Sequence, residues 1–235
     1  FMKKTTLTLV TTLLALSATL VACGQQTTTN SNNSQTPTTT NAQSTPQGES
    51  DTITAKQVAT DTLVRSHSPI IGKVDAPVTI VEFFDPSCEA CRAMNPYVKQ
   101  IINEHNGKVR LVLRYTLFHK GSEQVARILE TAKEQGIYEP VLAAVFEAQP
   151  QWHDDETVKA AWQAAIKAGL DEQKARASMN SDKINQVLKQ DMDDAKTIKI
   201  SGTPTYYVNG KLLTKLSPDG LQAMVANEVK TTAKP

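Results

Sequence analysis

Read for its apolar and polar positions, the chain opens with Lys3 and Lys4 ahead of an apolar run over 7–21. That run is shorter than the roughly 20 residues a bilayer-crossing helix needs, and threonines and a serine interrupt it. It predicts a cleaved export signal. Residues 25–50 are almost entirely Gln, Thr, Asn, Ser and Pro. With so little apolar surface to bury, they predict a disordered tether, spanning on the order of 30 Å as a flexible coil.

Beyond the tether the pattern changes to that of a folded domain. Helix-like spacing over 54–65 predicts a short helix, which Ser68-Pro69-Ile70-Ile71-Gly72 breaks. The β-branched and aromatic run 78–84, between Pro77 and Pro86, predicts a buried central strand. A helix over 88–106 and a strand over 109–115 follow, which sets up a strand, helix, strand unit with parallel pairing. Helical patterns then dominate 122–198, in segments 122–135, 139–148, 154–168, 171–179 and 183–198, punctuated by Gly136, Pro150 and Gly169. Residues 205–208 and 211–214 flank Asn209-Gly210, a turn dipeptide suited to a two-residue hairpin, and a last helix is expected over 218–229. A sheet is thus begun early, interrupted by helices and completed late.

Composition narrows the function classes. The 235 residues are 40% hydrophobic and 21% charged, enough for one ordinary domain with attached segments. Lys plus Arg number 25 against 24 Asp plus Glu, so no global field attracts nucleic acid, and no nucleic-acid partner is expected. Neither a phosphate-binding glycine loop nor a nucleophile elbow nor a zinc-protease motif occurs. His67, His105, His119 and His153 have no metal-ligand spacing, and Trp152 and Trp162 read as packing. Of the four histidines, His119 stands out for its place just after the second strand of the early unit. No metal site and no cofactor is called for.

The candidate chemistry is sulfur chemistry. Cys88-Glu89-Ala90-Cys91 starts a helix directly after a buried strand. Unpaired N–H groups and the helix dipole there favour an anion, so the Cys88 thiol should ionise at roughly pH 3.5 to 7.5 rather than near 8.5. Cys91, one turn on, is close enough to close a small disulfide ring. Zinc would need two further ligands that the sequence does not supply, and a purely structural disulfide fits poorly at a helix start that makes sulfur reactive. Glu89 adds negative charge beside Cys88 and should work against the thiolate.

Two resemblances extend this reading. Leu20-Val21-Ala22-Cys23, followed by Gly24, resembles a bacterial lipobox. It implies signal cleavage, a lipid (palmitate) on Cys23, and anchoring to a membrane of the bacterial envelope. The absence of aspartate after Cys23 favours the outer membrane, facing the periplasm, if the source is Gram-negative. Glu82, the lead-in Phe83-Phe84-Asp85-Pro86-Ser87, the cysteine pair, Pro96 and the distant Ser201-Gly202-Thr203-Pro204-Thr205 together resemble the thioredoxin superfamily. The helical insertion makes its DsbA-like branch the nearest likeness. The resemblance implies an α/β thioredoxin fold with an inserted helical subdomain, here at about 120–198 of a domain spanning 53–235. Residues 1–22 would be the lipoprotein signal peptide, and 23–52 the lipidated cysteine and tether.

The same resemblance implies roles. Cys88 and Cys91 would be a redox-active disulfide. Glu82 would be a buried acid that exchanges a proton with Cys91, the alternative being an edge-strand acid that reaches solvent. Thr203 and a cis Pro204 would face the dithiol and present backbone to a substrate strand. The implied activity is thiol-disulfide exchange on exported proteins, with a DsbB-like or DsbD-like redox partner in the membrane and a monomeric state. Oxidase is the preferred direction; a reductase or isomerase, or a peptide-binding lipoprotein without redox turnover, are the alternatives. Glu89-Ala90 between the cysteines and Thr203 before the proline depart from the archetypal oxidase.

Overall fold

The computed structural model describes residues 60–233. The signal segment, Cys23, the tether and the first half of the helix expected over 54–65 lie outside the described residues. Among those described, no helix is long and apolar enough to cross a membrane.

A five-stranded sheet in the order β1-β3-β2-β4-β5 forms the centre. β2 (Val78–Phe84) lies parallel to β3 (Val109–Tyr115), joined by α2 (Glu89–Glu104), and β1 (Ile70–Gly72) runs antiparallel at the β3 edge. β4 (Thr205–Val208) pairs antiparallel with β2, and β5 (Lys211–Leu212) with β4. Between β3 and β4 come α3 (Ser122–Glu134), α4 (Tyr138–Ala148), a single 3₁₀ turn (Gln149–Gln151), α5 (Lys159–Lys167), α6 (Glu172–Ser178) and α7 (Asp182–Thr197). A short α1 (Thr60–Leu63) precedes the sheet and α8 (Pro218–Thr232) closes the chain.

The strands sort their side chains by alternation. Val78, Ile80 and Phe84 join the larger core with Val98 and Ile101 of α2, Leu221 and Val225 of α8, and the inserted helices. Val81, Phe83, Val112 and Tyr207 face the other way, onto Leu63, Ala195 and Ile198. β2 is central and almost wholly buried, which fits its unbroken apolar run.

Three local readings shift. Ile70–Gly72, read as a break, pairs with β3; three residues are too few to show a period. The helix expected from 154 begins only at Lys159, because the Asp155 carboxylate accepts the N–H of Thr157 at 2.8 Å and Val158 takes a left-handed φ of 44°. The hairpin turns at Asn209 and Gly210 with φ of 47° and 83°, as a primed turn requires, but its second strand is only Lys211–Leu212.

Candidate active site

The dithiol sits where β2 gives way to α2. Cys88 occupies the position capping α2, with φ −73° and ψ 120°, and its side chain caps no backbone N–H. Its backbone N–H donates to the Asp85 carbonyl at 3.0 Å, which fixes the tight turn before the helix. Cys88 is 8% exposed and Cys91 fully buried, and both are free thiols.

Across from them, the Thr203–Pro204 peptide bond is cis. The Cys88 thiol donates to the Thr203 carbonyl at 3.2 Å, so the two motifs meet although 115 positions separate them. The described structure therefore brings together Cys88, Cys91, Thr203 and Pro204. Glu82, from the middle of β2, is 4% exposed, with Leu113 and Tyr206 directly opposite it on the neighbouring strands. The edge-strand alternative for Glu82 does not hold, because β2 is flanked by strands on both sides. By alternation its carboxyl shares the α2 face with Ile80 and Phe84. Cys23 lies outside the described residues.

Electrostatics divide the two sulfurs. The Cys91 thiol, the Thr203 hydroxyl and the backbone N–H groups of Ala90 and Cys91 all favour a Cys88 anion. They outweigh its partial burial and bring the thiol down to about 5. Burial pushes Cys91 far above an ordinary thiol, and the negative charges of Cys88 and Glu82 add to this. Burial likewise raises Glu82 to about 8, aided by the Cys88 charge and opposed by the Tyr206 hydroxyl. Glu89, expected to work against the thiolate, has a side chain 71% exposed, so water screens it. The arrangement is one slightly exposed, easily ionised sulfur, one fully buried sulfur held protonated, and a buried carboxylic acid beside them.

Two further residues shape the site, and neither was singled out in the sequence. Asp85 is fully buried, and its carboxylate accepts from the N–H groups of Ser87 at 2.8 Å, Phe118 at 2.7 Å and His119 at 3.0 Å, and from the Ser122 hydroxyl. His119 Nδ1 lies 2.7 Å from the same carboxylate, so His119 braces the active-site turn from the loop after β3. Gln149, also fully buried, donates its amide to the carbonyls of Pro86 at 2.8 Å and Cys88 at 3.0 Å, and accepts from Arg92 Nε at 3.0 Å. It fastens the inserted helices to the turn that carries Cys88. The only sequence signal near it is Pro150, which marks the end of a helix and nothing more. Among the described residues, no three His, Cys, Asp or Glu side chains converge as metal ligands would.

Comparisons with known proteins agree with this geometry. A family model described as Thioredoxin matches residues 65–227. A probable disulfide bond formation protein D of Bacillus anthracis is 27% identical over 170 residues, covering 68% of this chain and 77% of that protein. The crystal structure of a thioredoxin-like oxidoreductase from Silicibacter pomeroyi DSS-3 superposes with a TM-score of 0.65 at 27% identity, over 76% of this chain and 99% of that one. Oxidised BdbD from Bacillus subtilis superposes with a TM-score of 0.62 at 27% identity, over 70% of this chain and 94% of that one. The sheet order and the helices set between β3 and β4 are those of an α/β thioredoxin fold with a helical insertion. The chain belongs to the thioredoxin family, and within it is a DsbA-like thiol-disulfide oxidoreductase.

Proposed function

We propose that Cys88 and Cys91 form the redox pair and that the chain acts as an oxidase, introducing disulfides into exported proteins. A client thiolate attacks the Cys88 sulfur of the oxidised pair, Cys91 departs and takes up a proton, and a second client thiol then releases Cys88. Attack falls on Cys88 because Cys91 is fully buried. Glu82 supplies the proton, since a carboxyl raised to about 8 carries one at neutral pH. Thr203, held in place by the cis bond to Pro204, offers its backbone to an extended client segment next to the reacting sulfur.

The observation that carries this reading is the Cys88 sulfur 3.2 Å from the Thr203 carbonyl, at a helix start that favours its anion. A stabilised thiolate lowers the free energy of the reduced form, which makes the disulfide more oxidising. The name of the B. anthracis relative, a disulfide bond formation protein, points in the same direction. Signal cleavage before Cys23, lipidation there and a tether over 25–50 would hold the domain, beginning near residue 53, at an envelope membrane. A membrane redox partner would reoxidise it.

The direction is tested by equilibrating the full chain, in detergent, with glutathione buffers of known ratio. A potential near −120 mV is expected of a strong oxidase, and one near −270 mV would make the chain a reductase. Cys91→Ala should accumulate mixed disulfides with clients, and a trap that stays empty would refute the pair's assignment.

A further inference from the structure

Tyr206 carries a buried hydroxyl that the chemistry above does not use. It is 1% exposed, and its Oη has no hydrogen-bond partner of good geometry among the described residues. Leaving such a group unsatisfied costs free energy, and phenylalanine would fill the same space without that cost. Its place is informative. Tyr206 pairs with Glu82 across β2 and β4, so both side chains share the sheet face beneath α2. It also follows cis-Pro204 by one intervening residue, so one short strand joins the client-facing loop to the buried acid.

We infer that Tyr206 is a positioning residue for proton transfer, its hydroxyl directed at the Glu82 carboxylate and setting how readily that carboxylate accepts the proton of Cys91. This rests on the reading of Cys88 and Cys91 as the redox pair. The step concerned is the attack of Cys91 on a mixed disulfide at Cys88. The Cys91 S–H proton passes to the Glu82 carboxylate, and the Cys91 thiolate forms a bond to the Cys88 sulfur. The bond from Cys88 to the departing thiol breaks, and that thiol leaves with the electron pair. The cysteine pair is oxidised by two electrons and the departing disulfide partner is reduced.

The surroundings leave Tyr206 the role of tuning Glu82. The other titratable groups around the carboxyl are Cys88 and Cys91 of α2 and, further off, Tyr138 of α4 with its partners Tyr115 of β3 and Glu130 of α3. α8 contributes the apolar Leu221 and Val225 to this core. The one cation of this network, Lys133, is taken up by Glu130, so a hydroxyl donor is what favours the ionised acid, and the Tyr206 hydroxyl opposes the rise that burial gives Glu82.

Ellman's reagent reads the step in the full chain carrying Cys23→Ser, which leaves Cys88 and Cys91 as its two thiols. Attack by Cys88 releases one thionitrobenzoate, and attack by Cys91 on the resulting mixed disulfide releases a second. In the parent, the rate of the second release should inflect near pH 8, where Glu82 titrates. Tyr206→Phe should move that inflection up by about one pH unit, the size of a hydrogen bond to a charged group, and leave the pH profile of the first release in place. Glu82→Gln should abolish the inflection, and adding Tyr206→Phe to it should change the second rate by less than about twofold. An unmoved inflection in Tyr206→Phe, or an equal slowing with and without Glu82, overturns the inference and leaves the redox pair intact. A parent that releases only one equivalent overturns the pair's assignment, and the inference with it.

Discussion

Two buried acid sites on opposite faces of the central sheet are neutralised in opposite ways. On the side of α1 and α7, the fully buried Arg114 donates to Asp191 at 2.8 Å and to Asp194 at 2.5 Å, and to the carbonyls of Thr62 and Leu63 at 2.8 Å. Arg65 adds a second clasp on Asp194 at 2.7 Å, and His67 Nε2 lies 2.7 Å from Asp191. Burial pushes Asp194 up, yet the two guanidinium groups prevail and hold it at about 2. On the side of α2, Glu82 meets thiols and a phenol, and burial raises it to about 8. A buried carboxyl can be neutralised by a cation or by a proton. The cation makes a fixture; the proton can be handed on, and it stands beside the dithiol.

Glu82 offers the largest way to break this contrast. Its native form holds a proton that the unfolded chain gives up above about pH 4.5, so stability should fall as pH rises from about 4.5 to about 8. The fall amounts to about 5 kcal/mol at 1.36 kcal/mol per unit. Cys88 works against it in the reduced protein. Its stabilising effect is present above the ordinary thiol value of 9 and is lost as pH falls toward about 5. Subtracting the urea stability of the parent from that of Glu82→Gln, pH by pH, isolates the acid. The difference should favour the variant increasingly up to pH 8 and then level off, and a flat difference would mean that Glu82 is ionised like its counterparts across the sheet.

Arg114→Met tests the other face. Two carboxylates would remain buried with their main cation gone, and breaking such a cluster costs about 3–5 kcal/mol. The loss should appear in the urea midpoint at pH 7, while the thiol reactivity of the remaining folded fraction stays at the parent value, because Cys88 lies on the opposite face. A loss under about 1 kcal/mol would show that Arg65 and His67 suffice and that Arg114 is not the centre of the cluster.

These two faces were unequally legible in the sequence. β2, the start of α2 and the Asn209-Gly210 turn follow from local pattern, and the paired motifs at Cys88 and Pro204 pointed to the site. Glu82 was noticeable because an acid interrupts an apolar run. Arg114 sits in a similar run, yet its partners at Asp191 and Asp194 lie on α7, where they read as part of a polar helix face. Asp85 and Gln149 escaped for the same reason: most of Asp85's partners and all of Gln149's are brought close only by the completed fold, as Gln149 reaches Pro86 across 63 positions. Tyr206 looked like an ordinary aromatic strand residue, and only its register against Glu82 gives the hydroxyl a meaning.

Gln149 gives the smallest effect and the sharpest control. Its amide donors join the inserted helices to the carbonyls of the active-site turn through neutral hydrogen bonds, where the opposite face uses ions. In Gln149→Met the Pro86 carbonyl loses its amide donor, whereas the Cys88 carbonyl keeps the Arg92 N–H at 3.2 Å. Three hydrogen bonds are lost, two to carbonyls and one from Arg92 Nε, whose half-buried guanidinium can turn to water, and with one buried acceptor left over the cost is about 2–3 kcal/mol. Because neither the amide nor the carbonyls titrate, that cost should be the same at pH 5 and pH 9, unlike the contribution of Glu82. Amide exchange in the first turn of α2 should quicken while that in α7 keeps its rate. A cost that changed with pH would mean that Gln149 acts through the ionisation of Cys88 or Glu82, and the clamp would then belong to the proton chemistry of its face rather than to its scaffold.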